Sequence, residues 1–179
     1  NRFVYVASLG RDCVHRYRLD ATQGILAPTE PATIAMAPGC GPRHLVFNAG
    51  GTRVYLLNEL DASLDVLACD PATGDLQPLQ RVSLMPEGAP GEPWAAEVRL
   101  SADGRWLLAT ERRTSTLTAW AVDAQGRVTL RDRQPVEAQP RGMQVSPDGR
   151  HVLVAGQASH QVASLALDPA SGALTPCDR

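Results

Sequence analysis

The chain has 179 residues, of which 44% are hydrophobic, and a formal net charge of −2. This length suffices for one domain with a real core, and the near-neutral charge without a block of one sign argues against nucleic acid or an anionic membrane as a partner. No stretch approaches the roughly 18 apolar residues of a membrane helix, and no export signal is evident, so we expect a cytosolic (cytoplasmic) protein.

In chain order, the clearest strands are residues 4–8, 54–58, 107–111 and 152–156, at offsets of 50, 53 and 45 residues. Each is followed by a polar loop, a second strand and a glycine turn that leads into a weaker third strand. Three units also carry a preceding strand, at residues 44–47, 97–100 and 142–145. Each unit is therefore predicted to be four short antiparallel strands.

Four-stranded units with a period of about 50 residues are typical of a β-propeller. A Greek-key sandwich, the alternative all-β fold, would not produce such regular copies. We predict a single all-β propeller domain over residues 1–179, with blades at about 1–38, 39–91, 92–136 and 137–179. Because the first unit lacks its innermost strand and the last stops in its outermost strand, we expect about four blades of a larger ring.

Polar residues cluster in the sequence where the first strand of a blade begins and the second ends. These two points lie at the same end of a blade, and the first strand lines the central channel. The candidates at this end are Arg43, His44 and Glu59 in one unit, Glu97, Glu111 and Arg112 in the next, and Arg141 and Gln157 in the last. Their identity changes from unit to unit while the turn glycine repeats, which indicates a site grafted onto a frame.

Each candidate also has a structural interpretation. The arginines could bridge adjacent blades through carboxylates, and His44 could be a hydrogen-bonded residue at a strand end. Glu59 and Glu111 could be solvated loop charges. The four cysteines are far apart and form no C-x-x-C pair, so no metal site is expected.

Three segments together resemble the lactonase family of about seven-bladed propellers, over residues 1 to 176. They are GPRHLVF…YLLNELDASLDVL from Gly41, PWAAEVRLSADGRWLLATERRTSTLTAW from Pro93, and QPRGMQVSPDGRHVLVAGQASHQVASLAL from Gln139. The resemblance implies hydrolysis of 6-phospho-D-glucono-1,5-lactone to 6-phosphogluconate in the pentose phosphate pathway, without a metal or organic cofactor. At positions 97 and 111 this chain has Glu where relatives usually have Asp.

The resemblance extends to the candidate residues, and lactone opening needs a base and a positive group for the carbonyl oxygen. We predict His44 as the base and Glu97, or alternatively Glu59, as the carboxylate that orients it. Arg141 is predicted to be catalytic as an oxyanion or phosphate ligand. The predicted substrate-binding residues are Arg43, Glu59, Arg112 and Gln157.

Other functions stay open at this point. The same site could act on a different lactone or a muconate-type substrate, or the propeller could be a non-catalytic interaction scaffold. The chain as given could also be inactive because its ring is open. We expect a small phosphorylated sugar lactone as the substrate, and a monomer or weak homo-oligomer.

Overall fold

Short apolar segments separated by glycine turns form four antiparallel sheets in a computed structural model that describes residues 2–177. Residues 1, 178 and 179, which the predicted domain includes, lie outside this range. Each sheet consists of strands consecutive in the sequence, which we call blades 1 to 4. The predicted all-β propeller of four-stranded blades is thereby confirmed, and blade 1 has three strands in the described range.

The strands of blades 1 and 2 are β1 (Phe3–Ser8), β2 (Cys13–Asp20), β3 (Ile25–Ala35), β4 (Pro42–Phe47), β5 (Arg53–Asn58), β6 (Ser63–Cys69) and β7 (Leu76–Ser83). Those of blades 3 and 4 are β8 (Ala95–Leu100), β9 (Trp106–Glu111), β10 (Thr116–Val122), β11 (Val128–Pro135), β12 (Pro140–Val145), β13 (His151–Gly156), β14 (Gln161–Leu167) and β15 (Leu174–Pro176). A 3-10 turn, Leu9–Arg11, joins β1 to β2. Among the described residues 2–177, no helix is long and apolar enough to cross a membrane. We propose residues 1–38, 39–91, 92–136 and 137–179 as the limits of the four blades, since each sheet lies within one of these ranges.

The hydrophobic core lies between adjacent blades. Successive residues of a strand point to opposite faces of its sheet. In β5, Val54 and Leu56 accordingly pack towards blade 1, whereas Tyr55 and Leu57 pack towards blade 3. All four are fully buried. A strand buried on both faces holds its ends rigidly, so it is a good support for functional groups at those ends.

The inner strands β4, β8 and β12 contact one another in succession and begin at the same end of their blades. The turns at the opposite end contain glycines with positive φ, as in Gly51 (φ 65°) and Gly104 (φ 72°), a conformation that L-residues with a side chain rarely adopt. The frame therefore brings the predicted functional ends of three blades together.

The outer strand of blade 1 differs from expectation. A weak strand was predicted just after the glycine turn, but β3 runs from Ile25 to Ala35 and is the longest strand described. A register shift in β2 between His15 and Tyr17 lets the two strands stay paired along this length. Proline is tolerated in β3 because the strand lies at the outer edge of its sheet.

Candidate active site

Each of the three inner strands has a β-bulge at the end where the candidates cluster. In β4, Pro42 pairs with Asn58 and His44 with Leu57, so Arg43 is the extra residue without a partner. In β12, Arg141 is skipped in the same way. In β8 the shift covers residues 96 and 97, because Ala95 and Val98 are the paired residues on either side. A bulge redirects side chains locally, so these residues can point away from the inter-blade cores.

His44 and Glu97 meet across the boundary between blades 2 and 3. The Nδ1 atom of His44 lies 2.9 Å from Oε1 of Glu97. Nδ1 is buried and the contact is not aligned as a hydrogen bond, whereas 40% of the His44 side chain is exposed. The accessible part of the imidazole is therefore the part away from Glu97, which leaves its other nitrogen, Nε2, free to meet a ligand.

The Glu97 carboxylate is held by more than the histidine. Its Oε1 atom also accepts hydrogen bonds from Nη1 of Arg99 at 2.8 Å and from the backbone N–H of Val98 at 3.2 Å. Burial acts to raise the pKa of Glu97, but the contacts with His44 and Arg99 outweigh it and keep the pKa below its usual range. Glu97 is thus an ionised carboxylate next to an imidazole.

Glu59 is the centre of a second cluster. Its Oε2 atom accepts a hydrogen bond from Arg43 at 2.7 Å, and its Oε1 atom accepts one from the indole Nε1 of Trp94 and contacts Nη2 of Arg112, both at 2.8 Å. Burial acts to raise the pKa of Glu59, but these three donors lower it below its usual range. Both carboxylate oxygens are occupied by protein donors.

Arg112 is almost completely buried and spans two blades. Its guanidinium stacks on the Trp94 ring at 3.8 Å and donates to the carbonyls of Trp94 and Ala95. Burial lowers its pKa, Glu59 raises it, and the positive charges of Arg43 and Arg141 lower it further. Arg43 and Arg141 therefore lie close enough to Arg112 to repel its charge, and only Glu59 pairs with any of the three arginines in the described chain.

Arg141 and Gln157 are exposed. Within residues 2–177, no hydrogen bond or ion pair is formed by the Arg141 guanidinium or by the Gln157 side chain. The backbone N–H of Gln157 donates to the carbonyl of Gln139, which fixes the loop but not the amide group. Arg141 is consequently the arginine of the cluster whose donors are free for a ligand.

The burial of Glu59 and Glu111 decides between the interpretations that the sequence left open for them. Neither Glu59 nor Glu111 is a solvated loop charge, because their exposures are only 8% and 0%. The Glu111 side chain is bonded to backbone groups rather than to another candidate residue. Its carboxylate accepts hydrogen bonds from the backbone N–H groups of Trp94, Arg113 and Thr114, so it organises two loops instead. Glu59 contacts arginines rather than His44, which leaves Glu97 as the carboxylate beside the imidazole.

Trp94 and Arg99 were not predicted to belong to the site. Arg99 could have been found, because it lies two residues after Glu97 on the same strand and therefore on the same face. Trp94 precedes β8 in a loop, and no periodic signal marks the direction of its indole.

The two clusters combine a carboxylate-oriented imidazole with an excess of positive charge. Such an arrangement can activate a water molecule and stabilise an anion nearby. Among residues 2–177 no group of three or more His, Cys, Asp or Glu side chains could hold a metal ion. All four cysteines are unpaired.

Comparison with known proteins gives a consistent result. The family model described as "Lactonase, 7-bladed beta-propeller" matches residues 1–179. The chain is 37% identical over 180 residues to a 6-phosphogluconolactonase of Sodalis glossinidius (strain morsitans), covering 100% of this chain and 54% of that protein. A 6-phosphogluconolactonase of Klebsiella pneumoniae (strain 342) is 34% identical over 175 residues, covering 97% of this chain and 53% of its own.

A solved structure is also similar to this chain. The periplasmic gluconolactonase PpgL of Pseudomonas aeruginosa superposes with a TM-score of 0.93 at 38% identity, covering 99% of this chain and 50% of that one. The chain therefore spans about half the length of the curated relatives and of this structure.

Proposed function

This chain belongs to the lactonase family of seven-bladed β-propellers, and we propose that it contributes the active site of a 6-phosphogluconolactonase. The reaction would be hydrolysis of 6-phospho-D-glucono-1,5-lactone to 6-phosphogluconate, a step of the pentose phosphate pathway. The observation that carries the proposal is the His44–Glu97 contact beside three clustered arginines. The names and identities of the relatives support it.

In the proposed mechanism His44 is the general base. Its Nε2 atom takes a proton from water as the water oxygen attacks the lactone carbonyl carbon, and the resulting imidazolium is stabilised by the ionised Glu97. The carbonyl oxygen gains negative charge, which Arg141 stabilises with its free donors. Collapse of the tetrahedral intermediate breaks the bond to the ring oxygen, and His44 returns the proton to that oxygen.

The arginine cluster suits a phosphorylated substrate. Arginine binds phosphate oxygens through paired N–H donors, and an unpaired positive charge raises the affinity for a dianion. We propose that Arg43 and Gln157 line the substrate-binding wall, and that Arg112, which is almost completely buried, contributes positive charge behind it. Since both oxygens of Glu59 are occupied by protein donors, its proposed contribution is to hold Arg43 and Arg112 in place.

A second candidate is hydrolysis of an unphosphorylated sugar lactone at the same site. It is favoured by the similarity to PpgL, which is named as a gluconolactonase. We prefer the phosphorylated substrate because the cluster contains more arginine than carboxylate. A cytoplasmic location and a monomeric or weakly associating state belong to the same proposal, and the four unpaired cysteines agree with that location.

The test is steady-state hydrolysis of both lactones by the purified full-length protein and by His44→Ala. We expect kcat/KM to be higher for the phosphorylated lactone, and to fall by about 10²–10⁴ in the variant, as for loss of a general base. His151→Ala is the matched control, because His151 is exposed at the start of β13, at the opposite end of blade 4.

Three outcomes would change the conclusion. A loss below about tenfold in His44→Ala rejects the base assignment. Preference for the unphosphorylated lactone selects the second candidate. Failure of the wild-type protein to accelerate either reaction rejects the proposed function.

A further inference from the structure

We propose that Asp12, a residue of blade 1 that contacts no candidate catalytic group, is a positioning residue for Arg43 and His44. It acts on the connector of residues 37–41, which leads from blade 1 into the inner strand of blade 2. The catalytic consequence rests on the proposed function, but the structural role does not.

The contacts of Asp12 are directed at the connector. Its Oδ2 atom accepts a hydrogen bond from the backbone N–H of Gly39 at 2.7 Å, and its Oδ1 atom accepts one from Gly41 at 2.9 Å. These hydrogen bonds lower the pKa of Asp12, so it is an ionised acceptor, and hydrogen bonds to a charged acceptor are the stronger kind. The same residue accepts the N–H of Met36 through its carbonyl.

The connector is in turn hydrogen-bonded to the backbone of the site, next to Glu59. The carbonyl of Gly41 accepts the N–H of Glu59 at 2.7 Å, and that of Cys40 accepts the N–H of Leu60 at 3.0 Å. Gly41 has φ of +63°, and a Cβ there would lie 2.5 Å from Cγ of Leu60. Arg43 is only two residues further on and has no ladder partner of its own. Its position thus depends on how the connector is held.

Blade 3 provides the same device for the other bulged arginine. Ser115 occupies the position of Asp12, immediately before the strand that pairs with the outermost strand of its blade, and both have a left-handed backbone, with φ of 52° and 48°. The Oγ atom of Ser115 accepts the N–H of Gln139 at 3.3 Å, two residues before Arg141. Blade 2 has Ala62 at this position, and there the carboxylate of Glu111 holds the N–H of Trp94 instead. Every inner strand with a bulge is therefore preceded by a connector that a side chain anchors.

Asp20, at the other end of β2, differs from Asp12 in how far along the chain its hydrogen-bond donors lie. Asp20 also accepts two backbone N–H bonds, from Thr22 and Gln23, but both belong to its own turn. Those of Asp12 reach 27 and 29 residues along the chain. Asp20 is thus a matched control with the same number and kind of hydrogen bonds and no connection to the site.

The experiment compares Asp12→Gly, Asp12→Asn and Asp20→Asn in the full-length protein. Glycine keeps the left-handed backbone without the acceptor, and asparagine keeps one acceptor oxygen. We expect kcat/KM for lactone hydrolysis to fall about 10²-fold in Asp12→Gly, the size expected for a small misplacement of catalytic groups. Asp12→Asn should recover part of this loss, and Asp20→Asn should stay within about twofold of the wild type.

Two further readouts do not depend on turnover. Amide hydrogen exchange at Gly41 and Glu59 should be faster in Asp12→Gly than in Asp20→Asn, and inorganic sulfate should bind more weakly to the Asp12→Gly protein. The inference is overturned if amide exchange and sulfate affinity in Asp12→Gly are the same as in the wild type. It is also overturned if Asp12→Gly and Asp20→Asn lose equal activity for an equal loss of thermal stability. Absence of turnover in the wild type rejects the proposed function alone, and these two readouts then decide the role of Asp12.

Discussion

Replacing Glu59 by glutamine is the most direct test of the arginine cluster. The carboxylate pairs with Arg43 and Arg112 and accepts the indole N–H of Trp94, and only 8% of the residue is exposed. In Glu59→Gln the amide keeps one acceptor oxygen but supplies no negative charge. Two guanidinium groups then face each other without a counter-ion, one of them almost fully buried.

The expected cost follows from this burial. Removing one partner of a buried ion pair costs about 3–5 kcal/mol, because the remaining charge is left uncompensated. Arg43 is partly exposed and the amide retains one hydrogen bond, so we expect about 2–4 kcal/mol. For a domain of this size 1 kcal/mol corresponds to about 2–4 °C in Tm, and 3 kcal/mol therefore to about 6–12 °C.

Thermal unfolding followed by circular dichroism measures this effect. Glu87→Gln is the control, since Glu87 is exposed and forms no ion pair in the described chain. If Glu59→Gln lowers Tm by no more than the control does, the cluster does not depend on its central carboxylate, and the proposed role of Glu59 is wrong.

Two further predictions concern acid and the connector. The pKa values of Glu59 and Glu97 are both lowered by folding, so their stabilisation is complete above the unfolded value of about 4.3 and is lost as pH falls through the lower folded values. The urea midpoint should therefore drop between about pH 5 and pH 3, and the drop should be smaller in Glu59→Gln; an equal drop in both proteins would contradict the assignment. Gly41→Ala should destabilise the protein by more than the roughly 1 kcal/mol expected for Gly51→Ala, because both have positive φ but only Gly41 lacks room for a Cβ. Equal urea midpoints for the two variants would contradict this prediction, because they would show that the connector or Leu60 shifts to make room for the Cβ.

The frame could be predicted from the sequence because its signals are local and repeated. Period-2 apolar strands and turn glycines recur at near-constant spacing, and each copy reports the same geometry. The juxtaposition of His44 with Glu97 follows from that repetition, since the two residues occupy equivalent positions in adjacent blades. Equivalent positions of adjacent repeats lie close together in space, even when they are 53 residues apart in the sequence.

The partners within the site could not be predicted in the same way. Glu59 and Glu111 are equivalent by the repeat to within one residue, yet one carboxylate holds arginines and the other holds loop amides. Which donors a carboxylate meets depends on side-chain direction and on the course of the loops, and neither has a periodic signal. Trp94 was missed for this reason, although it contacts both Glu59 and Arg112.

Arg43, Ala96 and Arg141 occupy equivalent positions in the bulges of β4, β8 and β12. The bulges explain why the residue type at this position varies from blade to blade while the strands and turns repeat. A bulged residue has no cross-strand partner, so the ladder does not restrict its side chain. The restriction comes instead from the neighbouring blade. Arg43 donates through Nε to the carbonyl of Ala96 at 2.7 Å, and Ala96 itself is fully buried. The acceptor is a backbone carbonyl, which any residue at position 96 supplies. The backbone of the blade 3 bulge therefore helps to fix the direction of the blade 2 arginine, and adjacent bulge positions must be considered as a pair.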